Sequence, residues 1–223
     1  MGPTFNMSST TKKWRWQIAQ RAEIRWWQNY LRQRPVGEYL NWKRAYWREF
    51  LQRCALAPPP GARILDAGCG PAGIFLHFPQ HEVIACDPLL DQYTHKLDHF
   101  EPANYPGVRF LPCALEDLSL TKPCDYVFCL NAINHVAQLD RCLDRLVAAT
   151  HREGYLILSI DAHNYWGLKY LFRTLPGDIL HPHQYDLAEY QAMLTRRGLR
   201  IERSVCYRKE RIFDYHVLIA RKA

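Results

Sequence analysis

Apolar positions change their period twice along the chain. Between residues 12 and 54 they recur at helical spacing. Trp26, Tyr30 and Leu31 make one stripe, and Tyr39, Trp42, Tyr46, Trp47, Phe50, Leu51 and Cys54 make a second. Arg34-Pro35-Val36-Gly37 interrupts the run, so two helices are predicted. Pro58-Pro59-Pro60-Gly61 then forms a stiff linker, because proline cannot continue a helix. Beyond it, short apolar runs at Arg63–Ala67, Val83–Asp87, Val108–Leu111, Asp125–Leu130 and Tyr155–Ile160 read as strands with helical stretches in the intervals. The clearest of those helices covers Val136–Thr150, with Leu139, Leu143, Leu146 and Val147 on one face. This alternation predicts a parallel sheet with right-handed crossovers. The ending differs: a helix over Asp186–Arg197 stops at Gly198, and strands over Leu199–Tyr207 and Arg211–Ala220 read as an antiparallel hairpin at the sheet edge. The expected organisation is a helical extension over 1–57 and an α/β domain over 58–223.

Composition narrows the class. A chain of 223 residues that is 48% apolar can bury an adequate core, and a largely disordered chain is excluded. The longest apolar runs are too short to span a bilayer, and no apolar stretch follows Lys12 and Lys13 as a secretory signal would require. Eight cysteines contain no CxxC pair, which argues against a disulfide framework or a zinc cluster. Reduced thiols and a cytoplasmic location are expected. The net charge of +7 is uneven: residues 1–53 hold eleven Lys/Arg against three Asp/Glu, and the remainder holds eighteen against nineteen. The same segment holds six of the seven tryptophans. Such aromatic, basic helices would pack against the domain, close over a ligand as a lid, or rest on an anionic membrane surface. The last is disfavoured because aromatic and basic residues are not separated onto opposite faces.

The first strand runs into Asp66-Ala67-Gly68-Cys69-Gly70-Pro71-Ala72-Gly73. A glycine turn at the carboxyl end of a first strand lets a ligand approach the backbone and offers N–H groups at a helix start. The second strand ends at Asp87, 21 residues after Asp66, where a carboxylate can accept from both hydroxyls of a ribose. The glycines satisfy the dinucleotide spacing GxGxxG, but an acid stands just before the turn. That acid suits a ligand carrying an ammonium, such as the methionine end of S-adenosylmethionine, and would repel a pyrophosphate.

Together these stretches resemble the class I S-adenosylmethionine-dependent methyltransferases, whose first motif is a strand followed by (D/E)xGxGxG. Cys86-Asp87 resembles the second-motif acid, and Phe110-Leu111-Pro112-Cys113-Ala114-Leu115-Glu116-Asp117-Leu118 the loop at the adenine edge. Asp125–Asn131 with Asn134-His135-Val136 resembles the fourth-strand motif, and Gly154–Ser159 the fifth strand. The likeness covers about residues 60–222 and is nearest to ubiquinone-biosynthesis-type small-molecule methyltransferases. It implies a Rossmann-like seven-stranded sheet, mostly parallel with an antiparallel C-terminal strand, preceded here by the helical segment. It also implies that Asp66, Gly68 and Gly70 line the methionine moiety, Asp87 holds the ribose, Leu115 offers backbone to the adenine and Asn131 lies beside the sulfonium. Ala114 stands where the family often has an acid that reads the adenine amino group, so that contact is either missing or supplied by Glu116.

The acceptor should lie beyond the carboxyl ends of the strands. A hydroxyl or acidic-carbon acceptor must lose a proton, most naturally to histidine or a carboxylate. Candidates are His135 beside Asn134 after the fourth strand, His163 with Asp161 and Tyr165 in a loop after the fifth, and His181, His183 and Tyr185 in the long connection that follows. Lys43, Tyr46 and Trp47 are the lid residues expected to meet an apolar or anionic acceptor. An HxH pair can ligate a metal, but no third or fourth ligand is fixed, and Asn131 replaces the acid of metal-dependent catechol-type enzymes. No metal is expected. The expected partner is a small-molecule methyl acceptor. A nucleic-acid methyltransferase is the rival suggested by the basic N-terminus, but Asn131-Ala132-Ile133-Asn134 stands in place of an NPPY-like element. A non-catalytic S-adenosylmethionine-binding module is a further alternative.

Overall fold

The short apolar runs after the proline linker form the sheet. In the computed structural model, which describes residues 9–163, 185–209 and 213–223, the strands are β1 (Arg63–Ala67), β2 (Glu82–Cys86), β3 (Val108–Leu111), β4 (Cys124–Cys129), β5 (Thr150–His163), β6 (Leu199–Arg208) and β7 (Phe213–Lys222). Their order is β3-β2-β1-β4-β5-β7-β6, with β1 to β5 parallel and β7 antiparallel to both its neighbours. The order reverses between β1 and β4, and in open sheets of this kind ligands bind outside the carboxyl ends at that reversal. β1, β2 and β4 bury almost every side chain, as strands covered on both faces must.

β5 is longer than expected. Thr150 pairs with Cys124 before a bulge in the β4–β5 ladder, with Glu153 in the left-handed region at φ 64°. At its other end Asp161, Ala162 and His163 still pair with Tyr215, Asp214 and Phe213. His163 therefore ends a strand, where a loop was expected, because β7 supplies a partner out to that residue. β6 and β7 form the expected hairpin.

Two faces cover the sheet. α4 (Leu139–Ala149) and α5 (Leu187–Thr195) pack on one, burying Leu143, Leu146, Tyr190 and Leu194 against Leu65, Val127 and Leu158. Asp186 caps α5 through the Glu189 N–H, and the Glu189 carboxylate returns to the Asp186 N–H in a capping box. On the other face lie α1 (Ser9–Leu31), α2 (Val36–Arg53) and α3 (Leu90–Lys96).

One interval lacks the helix that alternation predicts. Residues 68–81 fold as two 3₁₀ turns, Gly70–Ala72 and Ile74–His77, within a stretch punctuated by Pro71 and Pro79. The interval after β3 is likewise a 3₁₀ turn, Leu115–Asp117. α2 takes the vacated place: Trp47, Phe50, Leu51 and Cys54 share one core with Ile74, Phe75, Phe128, Ile157 and Val217. Arg53 and Arg203 tie the end of α2 to β6 through the carbonyls of Tyr207 and Ala55. The hydrophobic core thus runs across the proline linker, so 57/58 is a change of element within one packed body.

Candidate active site

Asp66 is the last-but-one residue of β1 and is fully enclosed. Its Oδ2 accepts from the Phe75 N–H at 3.0 Å. The loss of water pushes its carboxyl up to about 7, while the N–H bonds of Phe75 and Ile74 and the charge of Lys43 pull it back down. Gly73 makes room for it: a Cβ there would lie 2.3 Å from Oδ2 and 2.5 Å from the Cys69 carbonyl oxygen. Gly68 has φ +75°, and a Cβ on it would meet the Ala132 methyl at 2.3 Å. The glycine spacing is thus spent on seating an acid and on packing the turn against the residue after Asn131. The expected helix start is absent here, so the turn presents 3₁₀ backbone to a ligand.

Asp87 follows β2 and lies across the turn from Asp66. Its Oδ2 accepts from the Gly70 N–H at 3.0 Å and its Oδ1 from the Leu89 N–H at 2.8 Å. Each oxygen keeps a lone pair for a ribose hydroxyl. Burial raises this carboxyl to about 7 as well, with the charges of Glu23 and Asp66 adding to the rise. Asn131, at the end of β4, adopts φ 55°, a left-handed conformation that asparagine tolerates better than most residues. Its N–H donates to Ser159 Oγ at 2.7 Å, which joins the ends of β4 and β5.

Leu115 is buried in the turn after β3. Glu116 departs from expectation: its Oε1 accepts from the N–H groups of Ala137 and Gln138 at 2.8 and 3.2 Å. That carboxylate ties down the chain just before α4, which engages its Oε1.

The lid residues divide. Trp47 is 3% exposed and its Nε1–H donates to the Ala72 carbonyl at 3.1 Å, which makes it a latch on the glycine turn and not an acceptor contact. Trp27 stands 3.7 Å from the position a Gly70 Cβ would take, and it meets Tyr93 edge-on. Glu23, also on α1, accepts from the Tyr93 hydroxyl at 3.2 Å and lies in the field of Asp87. Lys43 sits over the rings of Trp47, Tyr46 and Trp42 at 4.3, 5.1 and 5.9 Å. Burial lowers its pKa to about 8, against the pull of Asp66. Trp26 and Trp42 remain about half exposed. Glu23 and Trp27 escaped the sequence reading because α1 carries no motif; only the tertiary docking brings them to the glycines.

On the acceptor side, Asn134 is buried between two partners. Its Nδ2 donates to Asp161 Oδ2 at 3.2 Å, and its Oδ1 accepts from the Tyr190 hydroxyl at 3.1 Å. His135 is exposed in the 3₁₀ turn Ile133–His135. Tyr185 is half-buried and meets Tyr190 edge-on. Tyr165, His181 and His183 lie outside the described residues, and so does the side chain of His163. All eight cysteines are free thiols, and Cys206 is the exposed one. Among the described residues, Cys206, Asp214 and His216 bring three possible ligand atoms within 4.8 Å of one another. The β6–β7 register creates this group by placing Cys206 opposite His216. Asp214 already has an interaction of its own there.

Fold and site together define a Rossmann-like protein that binds a nucleoside carrying a cationic tail. Residues 39–204 match the family model described as a methyltransferase domain, and the chain belongs to that family. It is a class I S-adenosylmethionine-dependent methyltransferase. No curated protein shows a significant sequence match. Among solved structures, magnesium protoporphyrin IX methyltransferase from Synechocystis aligns with TM-score 0.54 and 21% identity, over 83% of each chain. The 1,6-didemethyltoxoflavin-N1-methyltransferase of Burkholderia thailandensis aligns with TM-score 0.59 and 16% identity, over 100% of this chain and 92% of that one. The N-methyltransferase NodS of Bradyrhizobium japonicum aligns with TM-score 0.59 and 13% identity, over 78% and 94%. At these identities the three support the fold. No helix among the described residues is long and apolar enough to cross a membrane.

Proposed function

We propose that this methyltransferase acts on a small-molecule acceptor that enters beyond the ends of β4 and β5. The observation that carries this reading is the roof over the donor turn: Trp47 is bonded to Ala72 and Trp27 stands over Gly70. A covered donor turn favours a compact acceptor over a duplex. Two of the similar structures are methyltransferases of small molecules, magnesium protoporphyrin IX and 1,6-didemethyltoxoflavin.

The buried carboxylates and the close-packed glycines fit S-adenosylmethionine. Asp66 would face its ammonium, Gly68 and Gly70 would line the methionine chain, Asp87 would hold the ribose, and Leu115 would lie along the adenine. When bound, the donor supplies a methyl group on a sulfonium, ready for displacement by a nucleophile. The protein's own task is then alignment and exclusion of water. Asn131, held by Ser159, would border the reacting centre. Asn134, fixed by Asp161 and Tyr190, would present a rigid polar wall to the acceptor, and Tyr46, Tyr165 and Tyr185 are further acceptor-binding candidates to test. A proton leaving a hydroxyl or acidic carbon would pass to a histidine on this side; His135, His163, His181 and His183 are the positions to test. Eight free thiols support a cytoplasmic location.

Incubation of the enzyme with donor and a metabolite extract should yield a product heavier by one methylene, made at the expense of donor. Methyl incorporation into RNA or DNA instead of the metabolite fraction would overturn the small-molecule reading.

A further inference from the structure

We infer that Lys43 binds the α-carboxylate of the donor, so that Asp66 and Lys43 together read both charges of its amino-acid end. The inference rests on the donor-binding reading above and adds a residue to it, moving Lys43 from the acceptor to the donor.

Three observations converge on this position. First, α2 is pinned to the glycine turn by the Trp47–Ala72 hydrogen bond, and Lys43 lies one helical turn before Trp47 on the same face. The Lys43 ammonium therefore lies over the ring that latches the turn. Second, the ammonium rests over three aromatic rings at 4.3, 5.1 and 5.9 Å. Ring faces hold a cation in place without neutralising it, so its charge stays available to an anion. Third, Asp66 is the charged group whose field Lys43 feels most, yet no ion pair within 4 Å joins the two. A half-buried cation and an enclosed carboxyl that influence each other without direct contact can each take a further charged partner.

A zwitterionic α-amino acid fills such a gap. Its ammonium and carboxylate are two arms of one tetrahedral carbon, so their charges lie about 3 Å apart and can meet two separate partners. Docked between Asp66 and Lys43, it satisfies both at once. A donor lacking the carboxylate would leave the Lys43 ammonium desolvated and unpaired, and would be rejected on that ground.

The test needs no acceptor. Wild type, Lys43→Met and Lys43→Arg are titrated calorimetrically at neutral pH with S-adenosylhomocysteine and with the same compound lacking its α-carboxylate. Wild type should prefer the carboxylate-bearing ligand by about 10- to 100-fold, the range for a charge-assisted hydrogen bond. Lys43→Met should bind the two ligands alike, and Lys43→Arg should recover most of the preference. The Met variant also removes a charge that burial disfavours, so its melting temperature should not fall. Retention of the full preference in Lys43→Met, or its absence in wild type, overturns the inference and leaves donor binding intact. Failure of wild type to bind S-adenosylhomocysteine at all removes both.

Discussion

Two enclosed carboxyls that titrate near neutrality make donor binding a proton-linked event. Asp66 and Asp87 are both raised to about 7 by burial, against an ordinary aspartate value of 3.8. In the empty protein each is therefore largely protonated at pH 6 and largely ionised at pH 8. An incoming ammonium near Asp66 favours the ionised form and lowers its pKa. Binding below pH 7 must then expel the proton, and affinity should rise with pH through 7. A group with pKa 7 that must ionise weakens binding about tenfold at pH 6 relative to pH 8, or about 1.4 kcal/mol. Two independent groups would give about a hundredfold. The folding linkage has the opposite sense. A carboxyl whose folded pKa is raised lends stability that is fully present below its unfolded pKa and is lost as pH rises through the folded value. Each of these two should cost the empty fold about 1.4 kcal/mol between pH 6 and pH 8. Calorimetric titration with S-adenosylhomocysteine at pH 6, 7 and 8, in buffers of different ionisation enthalpy, reads affinity and proton release together. The Asp66→Asn variant should lose the pH-dependence assigned to that residue, bind more weakly at pH 8, and melt higher when empty. A flat affinity from pH 6 to 8 with no proton release would refute the reasoning.

Two further outcomes follow from the same turn. Gly73→Ala, at an ordinary φ of −74°, acts through sterics alone: its Cβ would drive into Asp66 Oδ2 and the Cys69 carbonyl, both nearer than 3 Å. It should cost about 1–3 kcal/mol by thermal melt and weaken S-adenosylhomocysteine at least tenfold, whereas Gly37→Ala, with open space around it, should leave both unchanged or slightly improved. Trp47→Phe removes the bond to Ala72 while keeping a ring in the core; a loss of about 1–2 kcal/mol with faster donor dissociation is expected, and unchanged dissociation would argue against the latch.

What the residues disclosed in advance was local chemistry. Asp66, Gly68 and Asp87 could be read because an acid, a glycine turn and a second acid are set at the ends of adjacent strands by short spacing alone, and the strands themselves announce their period. What escaped depended on which distant element wins a given space. The interval 68–81 was expected to be helical, but it folds as two 3₁₀ turns, and α2 covers that part of the sheet. Glu116 was a candidate adenine reader, but its Oε1 is engaged by the chain just before α4. His163 looked like a loop residue until β7 extended the ladder to meet it.

The first of these misses bears on function. Because a short 3₁₀ segment stands where a helix was expected, the glycine turn lacks the helix N-terminus that would otherwise lend it positive potential. The charge that meets the donor's carboxylate must then come from elsewhere, and the element that fills the vacancy delivers it. α2 covers the sheet with Trp47, Phe50 and Leu51 and, one turn earlier, carries Lys43 toward Asp66. Covering the core and completing the donor site are thus the work of one helix. Any change that shifts α2, even at a buried position far from the glycines such as Phe50, should weaken the donor along with the fold.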